Sequence, residues 1–349
     1  MVLETTVRTL FGLLSEQVEL IVCDNSDERS DFIESIVANN LKYFYDPIQK
    51  TIGENFSEAI GYAHGKYCVF IGDDDLVSIN TELLLTYLDN EYTFDALVYN
   101  KSRFFWPGVK SDEYVFQHFN SNFKNSVVCK KINTDEIRNF AAQKGYMSIF
   151  TLPTPYHNIV NLDLLKRIKR ENGNLVLGIS PDISMGFLVS LYTDSVLFVN
   201  RSLTLYGGSK ESGAGLSAKR AHHMPICKVD FFKVELRDWH SKLPFYWSES
   251  ITFPQSVYMV CKKMNREFVF DINYFYAYAY SKEPYLWRQF FPYLKFGNPI
   301  IFSYYYTLLT IKQIVWLILG KYYYSTSRFK SMDDLLKFEN ESCTSISST

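Results

Sequence analysis

The sequence predicts an α/β fold, a largely parallel sheet with helices on both faces, followed by a helical C-terminal region. Three observations carry this. Short apolar runs alternate with helix-patterned segments from Glu4 to Tyr206, joined by connections of a few residues. One run, Tyr67 to Ile71, is apolar throughout and suits a strand buried on both faces; Gly72 and three carboxylates, Asp73, Asp74 and Asp75, follow it at once. Beyond Ser217 the pattern turns helical and strongly aromatic.

Each element has a local reason. Val7, Leu10, Phe11 and Leu14 recur at helical spacing and predict a helix over Glu4 to Leu14. Val18 to Cys23 reads as a strand, closed by the turn cluster Asp24, Asn25, Ser26 and Asp27. A helix from Asp31 to Asn39 and a strand from Leu41 to Tyr45 follow. Phe56, Ala59, Ile60 and Ala63 give the next helix its packed face, and Gly65 ends it. Further helices are expected at Thr81 to Leu88, Thr134 to Gln143 and Leu162 to Arg170, and a strand at Asp95 to Tyr99. Phe104 to Asn125 reads as loops or short antiparallel strands. Ser180 as N-cap and Pro181 at the first helical position start a helix that runs to Tyr192. Val196 to Val199 and Leu203 to Tyr206 read as two short strands. Ala218 to Trp239 and Ser256 to Met264 are the clearest later helices, and the tail after Ser331 reads as disordered. The domain division is therefore 1–215, 216–330 and a tail over 331–349.

Composition bounds the function. Hydrophobic residues make up 47% and support a full core. A net charge of -2 gives no general basic surface for nucleic acid. Six cysteines are scattered with no CxxC pair and no histidine at zinc-ligand spacing, and Cys23 and Cys68 fall in strands, which fits a reducing compartment. His222, His223 and His240 have no regular acidic partners. The start lacks the apolar core of a signal peptide. Ile300 to Gly320 is long enough to span a membrane, but Lys312 and Gln313 interrupt it and Ser303, Thr307, Thr310 and Gln313 form a polar stripe. That pattern fits packing on the chain's own domain first, an interfacial helix next and a span last.

The chemistry gathers at strand ends. Three adjacent like charges at the end of a buried strand are costly without a cation. In extended backbone Asp73 and Asp75 point to one side, as two hard oxygen donors suited to Mg2+ or Mn2+. Asp24 lies at another strand end, and ligands of such sheets bind at the carboxyl rim. Asp182 sits in a helical first turn, where it serves either the helix dipole or as a general base. Gly207 to Gly215, with Ser209, Lys210 and Ser212, is either an exposed linker or a phosphate-gripping loop; it lacks the P-loop spacing.

In this order, VELIVCDNSDE, GENFSEAIGYAHGKYCVFIGDDD, PYHNIV with SPDISMGF, and YGGSKESGAG resemble the family 2 glycosyltransferases of bacterial surface-polysaccharide assembly, over about residues 4–215. The resemblance implies a Rossmann-like nucleotide-diphospho-sugar transferase (GT-A) fold and an inverting, divalent-metal-dependent transfer to a saccharide or lipid-linked acceptor. It implies that Asp24, Asn25, Asp73 and Asp74 bind the donor nucleotide. Asp73 and Asp75 become the metal pair, Asp182 the base, and Ser209 and Lys210 the lining of the donor or acceptor side. The expected location is the cytoplasm, with peripheral attachment to the inner face of the plasma membrane as the further expectation. The alternatives are a metal-dependent nucleotidyltransferase and a truncated, non-catalytic relative that only binds. One departure stands out. The family's first apolar strand is missing before Glu4, so the expectation is an upstream strand and short polar loop, and a chain that is poorly stable or inactive without them.

Overall fold

The computed structural model describes residues 2–48, 50–109, 116–121, 128–147, 151–210, 212, 224–226 and 238–343. Helix α1 (Val2–Leu13) leads into β1 (Leu20–Asp24), a single turn α2 (Asp31–Glu34), β2 (Leu41–Tyr45), α3 (Ile52–Tyr62), β3 (Tyr67–Cys68) and β4 (Leu76–Val77). Then come α4 (Asn80–Glu91), β5 (Ala96–Phe105), β6 (Phe116–Ser121), β7 (Cys129–Ile132), α5 (Thr134–Gln143), β8 (Ile159–Asn161), α6 (Leu162–Asn172), α7 (Pro181–Ser190) and β9 (Val196–Tyr206). The rest holds β10 (Met224–Pro225), β11 (Tyr246–Trp247), α8 (Glu249–Lys263), α9 (Ile272–Lys282), α10 (Trp287–Phe290), α11 (Pro299–Tyr323), β12 (Tyr324–Phe329) and α12 (Met332–Cys343).

An eight-stranded mixed sheet is built on β5, which pairs with β9 in parallel and with β6 and β8 antiparallel. β3 is antiparallel to β8, so it runs parallel to β5, and β3, β5 and β9 end at one rim. Among the described residues only β1 with β2 and β5 with β9 form parallel ladders, fewer than the predicted repeat of parallel units. β1 and β2 stand apart as a two-stranded sheet, with no ladder to the larger one among the described residues. Side chains hold that leaf in place. Val7, Val22, Ile33 and Leu41 form its own small core, and the Asn55 amide donates to the Cys23 carbonyl at 3.1 Å.

Several expected elements change length. α2 is one turn rather than a helix to Asn39, because Ser30 caps it but only Ile33 of its side chains is buried. α3 ends at Tyr62, before Gly65. β3 keeps only Tyr67 and Cys68 in its ladder, both half-buried, with a single bridge from Phe70 to Tyr156 beyond them. The two strands expected at Val196 and Leu203 are one, because β9 stays paired with β5 across its irregularity. Met224–Pro225 pairs with Tyr246–Trp247 as a strand; the rest of the helix expected over 218–239 lies largely outside the described residues, as do His222 and His223. α8 begins at Glu249 and joins the main core through Val257, Val260 and Cys261. The expected disordered tail begins instead with α12, whose Met332, Leu335 and Leu336 pack against Leu10, Leu76 and Phe104. Charged neighbours mask those three apolar positions in the sequence.

Candidate active site

The carboxyl rim gathers the predicted residues. Asp24 ends β1, and its charge reaches Asp73. It is buried and held: Oδ1 accepts from the Ser26 amide at 3.0 Å, and Oδ2 from the Tyr43 hydroxyl at 2.7 Å. Asn25 follows it, half-buried.

The triplet divides into three different carboxylates. Asp73 opens onto the cleft. Crowding by protein atoms and the charges of Asp74 and Asp75 push its pKa up to about 6. Asp74 is buried, and burial followed by the Asp75 charge raises its pKa. Its Oδ2 accepts from the Ser209 amide at 2.7 Å, and its carbonyl accepts from Trp106 Nε1 at 2.9 Å. The triplet is thereby tied to the loop after β9. Gly207 makes this possible: a Cβ there would lie 1.7 Å from the Asp74 carbonyl oxygen.

Asp75 is 0% exposed. Its Oδ2 accepts from the Gly72 amide at 2.6 Å, the Tyr156 hydroxyl at 2.9 Å and His157 Nε2 at 2.8 Å; its Oδ1 accepts from the Gly207 amide at 2.7 Å. Burial alone would raise its pKa, but His157 and the two amides outweigh it and hold the carboxyl below the usual range. His157 is itself fully buried, has a left-handed backbone at φ 59°, and sets Nδ1 2.8 Å from Thr204 Oγ1. A carboxylate can only accept, so the His157 proton lies on Nε2.

These contacts decide how a hard cation would fit. Asp73 fits, with an accessible carboxylate in a surplus of negative charge. Asp75 does not fit as the second ligand: three donors fill Oδ2, and a fourth takes Oδ1. Among the described residues no group of three His, Cys, Asp or Glu side chains is arranged to hold a metal. The two carboxylates do not point to one side as extended backbone would have them: the chain turns at Asp73 and Asp74, leaving Asp73 exposed and Asp75 buried.

Asp182 stands on the first turn of α7. Its Oδ1 accepts from Ser180 Oγ at 2.7 Å and from the Ile183 amide at 2.9 Å. Ser180 therefore supports the carboxylate and does not cap the helix with its side chain, as had been expected. The Asp182 charge acts on Tyr206 and on Lys101. Tyr206 in turn stands 4.6 Å, ring to ring, from His157 and 6.0 Å from Tyr156, so it links Asp182 to the neighbours of Asp75. Of the glycine-rich loop, Ser209 is buried against Asp74 and Lys210 is exposed. Sequence reasoning missed His157, Tyr156 and Tyr206. His157 stood inside a quoted motif, but nothing local showed that it meets Asp75.

Residues 2–146 match the family model described as glycosyl transferase family 2. The matched stretch is less than half of the chain. The crystal structure of S. aureus TarS 1-349 in complex with UDP-GlcNAc is similar at 14% identity and a TM-score of 0.51, over 84% of this chain and 77% of that one. S. aureus TarS 1-349 alone gives 16% identity and a TM-score of 0.42, over 59% of this chain and 57% of that one. Its complex with UDP gives 18% and 0.43, over 63% and 61%. In two of these three comparisons the similarity spans less than two thirds of the TarS chain. No curated protein matches.

Proposed function

We propose that this family 2 fold transfers a sugar, with inversion, from a nucleotide-diphospho-sugar to a hydroxyl of a saccharide or lipid-linked saccharide, in surface-polysaccharide assembly. The observation that carries the reading is the isolation of Asp182. It faces the cleft of the triplet and makes no salt bridge among the described residues. Its Oδ1 is held by protein donors, while Oδ2 has no hydrogen bond among the described residues. A single oriented base is what inversion requires. Oδ2 takes the acceptor proton as the acceptor oxygen bonds the anomeric carbon, and the bond to the diphosphate breaks with its electron pair leaving on the nucleoside diphosphate.

The donor nucleotide belongs at Asp24, Asn25, Asp73 and Asp74, with Ser209 and Lys210 on the adjoining loop. Mg2+ or Mn2+ at Asp73 would offset the charge of the leaving diphosphate. Asp75 anchors the rim: it joins β3 to β9 through His157 and Gly207 and fixes the backbone that presents Asp73. Residues 1–215 form the catalytic unit in this reading, with 216–330 as its helical support.

The test is product analysis. A panel of nucleotide-sugars with an oligosaccharide acceptor should release nucleoside diphosphate, and the new linkage should have the inverted anomeric configuration by NMR. Release of pyrophosphate from a nucleoside triphosphate would favour the nucleotidyltransferase instead. Absence of both, with no nucleotide binding, would leave a binding module.

A place at the membrane surface is supported by α11 and its neighbours. No helix among the described residues is long and apolar enough to cross a membrane. α11 turns Phe302, Tyr305 and Leu309 inward, and Gln313 donates to Ser281 Oγ at 2.9 Å, so the expected polar stripe is split between inside and outside. Ile300 (79% exposed), Tyr304 (64%), Ile311 and Val315 form an outward row, near Phe291 (63%) and Trp287. Residues 284–332 carry Arg288, Lys295, Lys312, Lys321, Arg328 and Lys330 and no Asp or Glu. An exposed apolar row in a wholly basic segment suits an anionic lipid surface. The reading is a cytoplasmic enzyme that is peripheral at the membrane.

A further inference from the structure

The central strand β5 carries two cations that sequence reasoning passed over. Ala96 and Val98 face the core layer that holds Ile183, Met185 and Phe187 of α7. Leu97 and Tyr99 face the opposite layer with Leu197 and Val199. Strict alternation would send Lys101 to that opposite layer. The β5–β9 register breaks, however, between Tyr99 and Asn100 and again between Asn100 and Ser102. Beyond the break it is Phe104 that lies in the layer of Leu205, so the phase has reversed. Lys101 and Arg103 consequently fall on the α7 face, at the carboxyl end of the strand.

That face is the cleft. α7 starts there with Asp182, whose charge acts on Lys101. Arg103 pairs in register with Tyr206, and its guanidinium carbon lies 5.5 Å from the Tyr206 ring centroid. Among the described residues neither cation has a carboxylate within ion-pair distance. Lys101 is half-buried and Arg103 exposed, and desolvation of Lys101 lowers its pKa to about 8, against the pull of Asp182. A cation without a partner in such surroundings is costly unless a ligand supplies the counter-charge.

We propose that Lys101 and Arg103 form an anion subsite on the acceptor side of the cleft, which takes a phosphate or carboxylate carried by the acceptor next to the hydroxyl that Asp182 deprotonates. The proposal rests on the transferase reading for the word acceptor, but the subsite itself does not. The donor's diphosphate is placed instead by Asp73 and the loop after Gly207. An acceptor of this class is a phosphorylated or acidic saccharide.

Two measurements test it. The first needs no activity: binding of inorganic phosphate to the full chain, followed by 31P NMR line broadening. Lys101→Gln with Arg103→Gln should abolish binding at the wild-type midpoint, and saturating nucleoside diphosphate should leave it in place. Unchanged binding in the double variant, or displacement by the nucleotide, overturns the subsite. The second compares a phosphorylated acceptor with its neutral parent at saturating donor. Wild type should favour the charged acceptor, and the double variant should lose roughly 10- to 100-fold in kcat/KM on it, chiefly through KM. The neutral parent should change little, and Lys101→Arg should retain much of the preference. Equal loss on both acceptors, or a loss that follows a carboxylate on the donor sugar, overturns the acceptor assignment. A protein that binds phosphate through these residues yet transfers no sugar refutes the transferase reading and leaves the subsite standing.

Discussion

Asp73 and Asp75 are two residues apart and behave oppositely. Removing Asp75 leaves His157 buried without its partner, and breaking a buried pair costs about 3–5 kcal/mol. Asp75→Ala should lower the melting temperature sharply, while Asp73→Asn should melt near wild type and lose cation-dependent transfer. Differential scanning calorimetry of the two variants separates the roles. The pKa of Asp73 also fixes a sign. A carboxyl whose folded pKa is raised to about 6 is destabilising while ionised, and the penalty is relieved as pH falls from 7 through 6. In EDTA, wild type should gain stability relative to Asp73→Asn over that range. Asp75 acts the other way, since its folded pKa is depressed; its contribution is present at neutral pH and is lost only in stronger acid. Asp182→Asn should retain nucleoside diphosphate binding and slow transfer by about 10²- to 10⁴-fold, read by single-turnover kinetics.

At the scale of elements, most of the helices and β1, β2, β5 and β9 were legible from their apolar patterns, whereas β4, β7 and β8 are too short to carry one. The carboxylates of the candidate site stood out where chemistry is dense in sequence, as at Asp24, Asp73 to Asp75 and Asp182. His157 and Lys101 were not. The first meets Asp75 only through the β8 turn-in, and the second owes its direction to a register break that no local pattern encodes. α12 was missed because three apolar residues among acids and a lysine resemble a solvated tail. Gly207 shows what an element end can demand. Gly207→Ala drives a methyl into the Asp74 backbone, so the loop after β9 must shift and release Asp74 and Asp75. It should cost about 1–3 kcal/mol in denaturant melts and weaken nucleotide binding more than an alanine at exposed Lys210 does.

Considered whole, the molecule has a charged rim on its sheet and an exposed apolar row on α11. Co-sedimentation with vesicles containing anionic lipid should bring the protein down, less so at high salt, and Ile300→Asp with Ile311→Asp should abolish this without altering soluble-acceptor transfer. Equal binding by the double variant would remove α11 from the interface.

The β1–β2 leaf gives the molecule a degree of freedom. Asp24 is carried by the leaf and Asp73 by the main sheet, and no ladder hydrogen bond has to break for their separation to change. Packing and side-chain hydrogen bonds such as Asn55 to Cys23 set that separation, so it can breathe like a jaw on a soft hinge. Amide exchange should be faster in Leu20–Asp24 and Leu41–Tyr45 than in Ala96–Phe105, and a nucleoside diphosphate that touches both jaws should slow the leaf selectively. The donor would then be an internal brace, completing mechanically a sheet that hydrogen bonds leave divided.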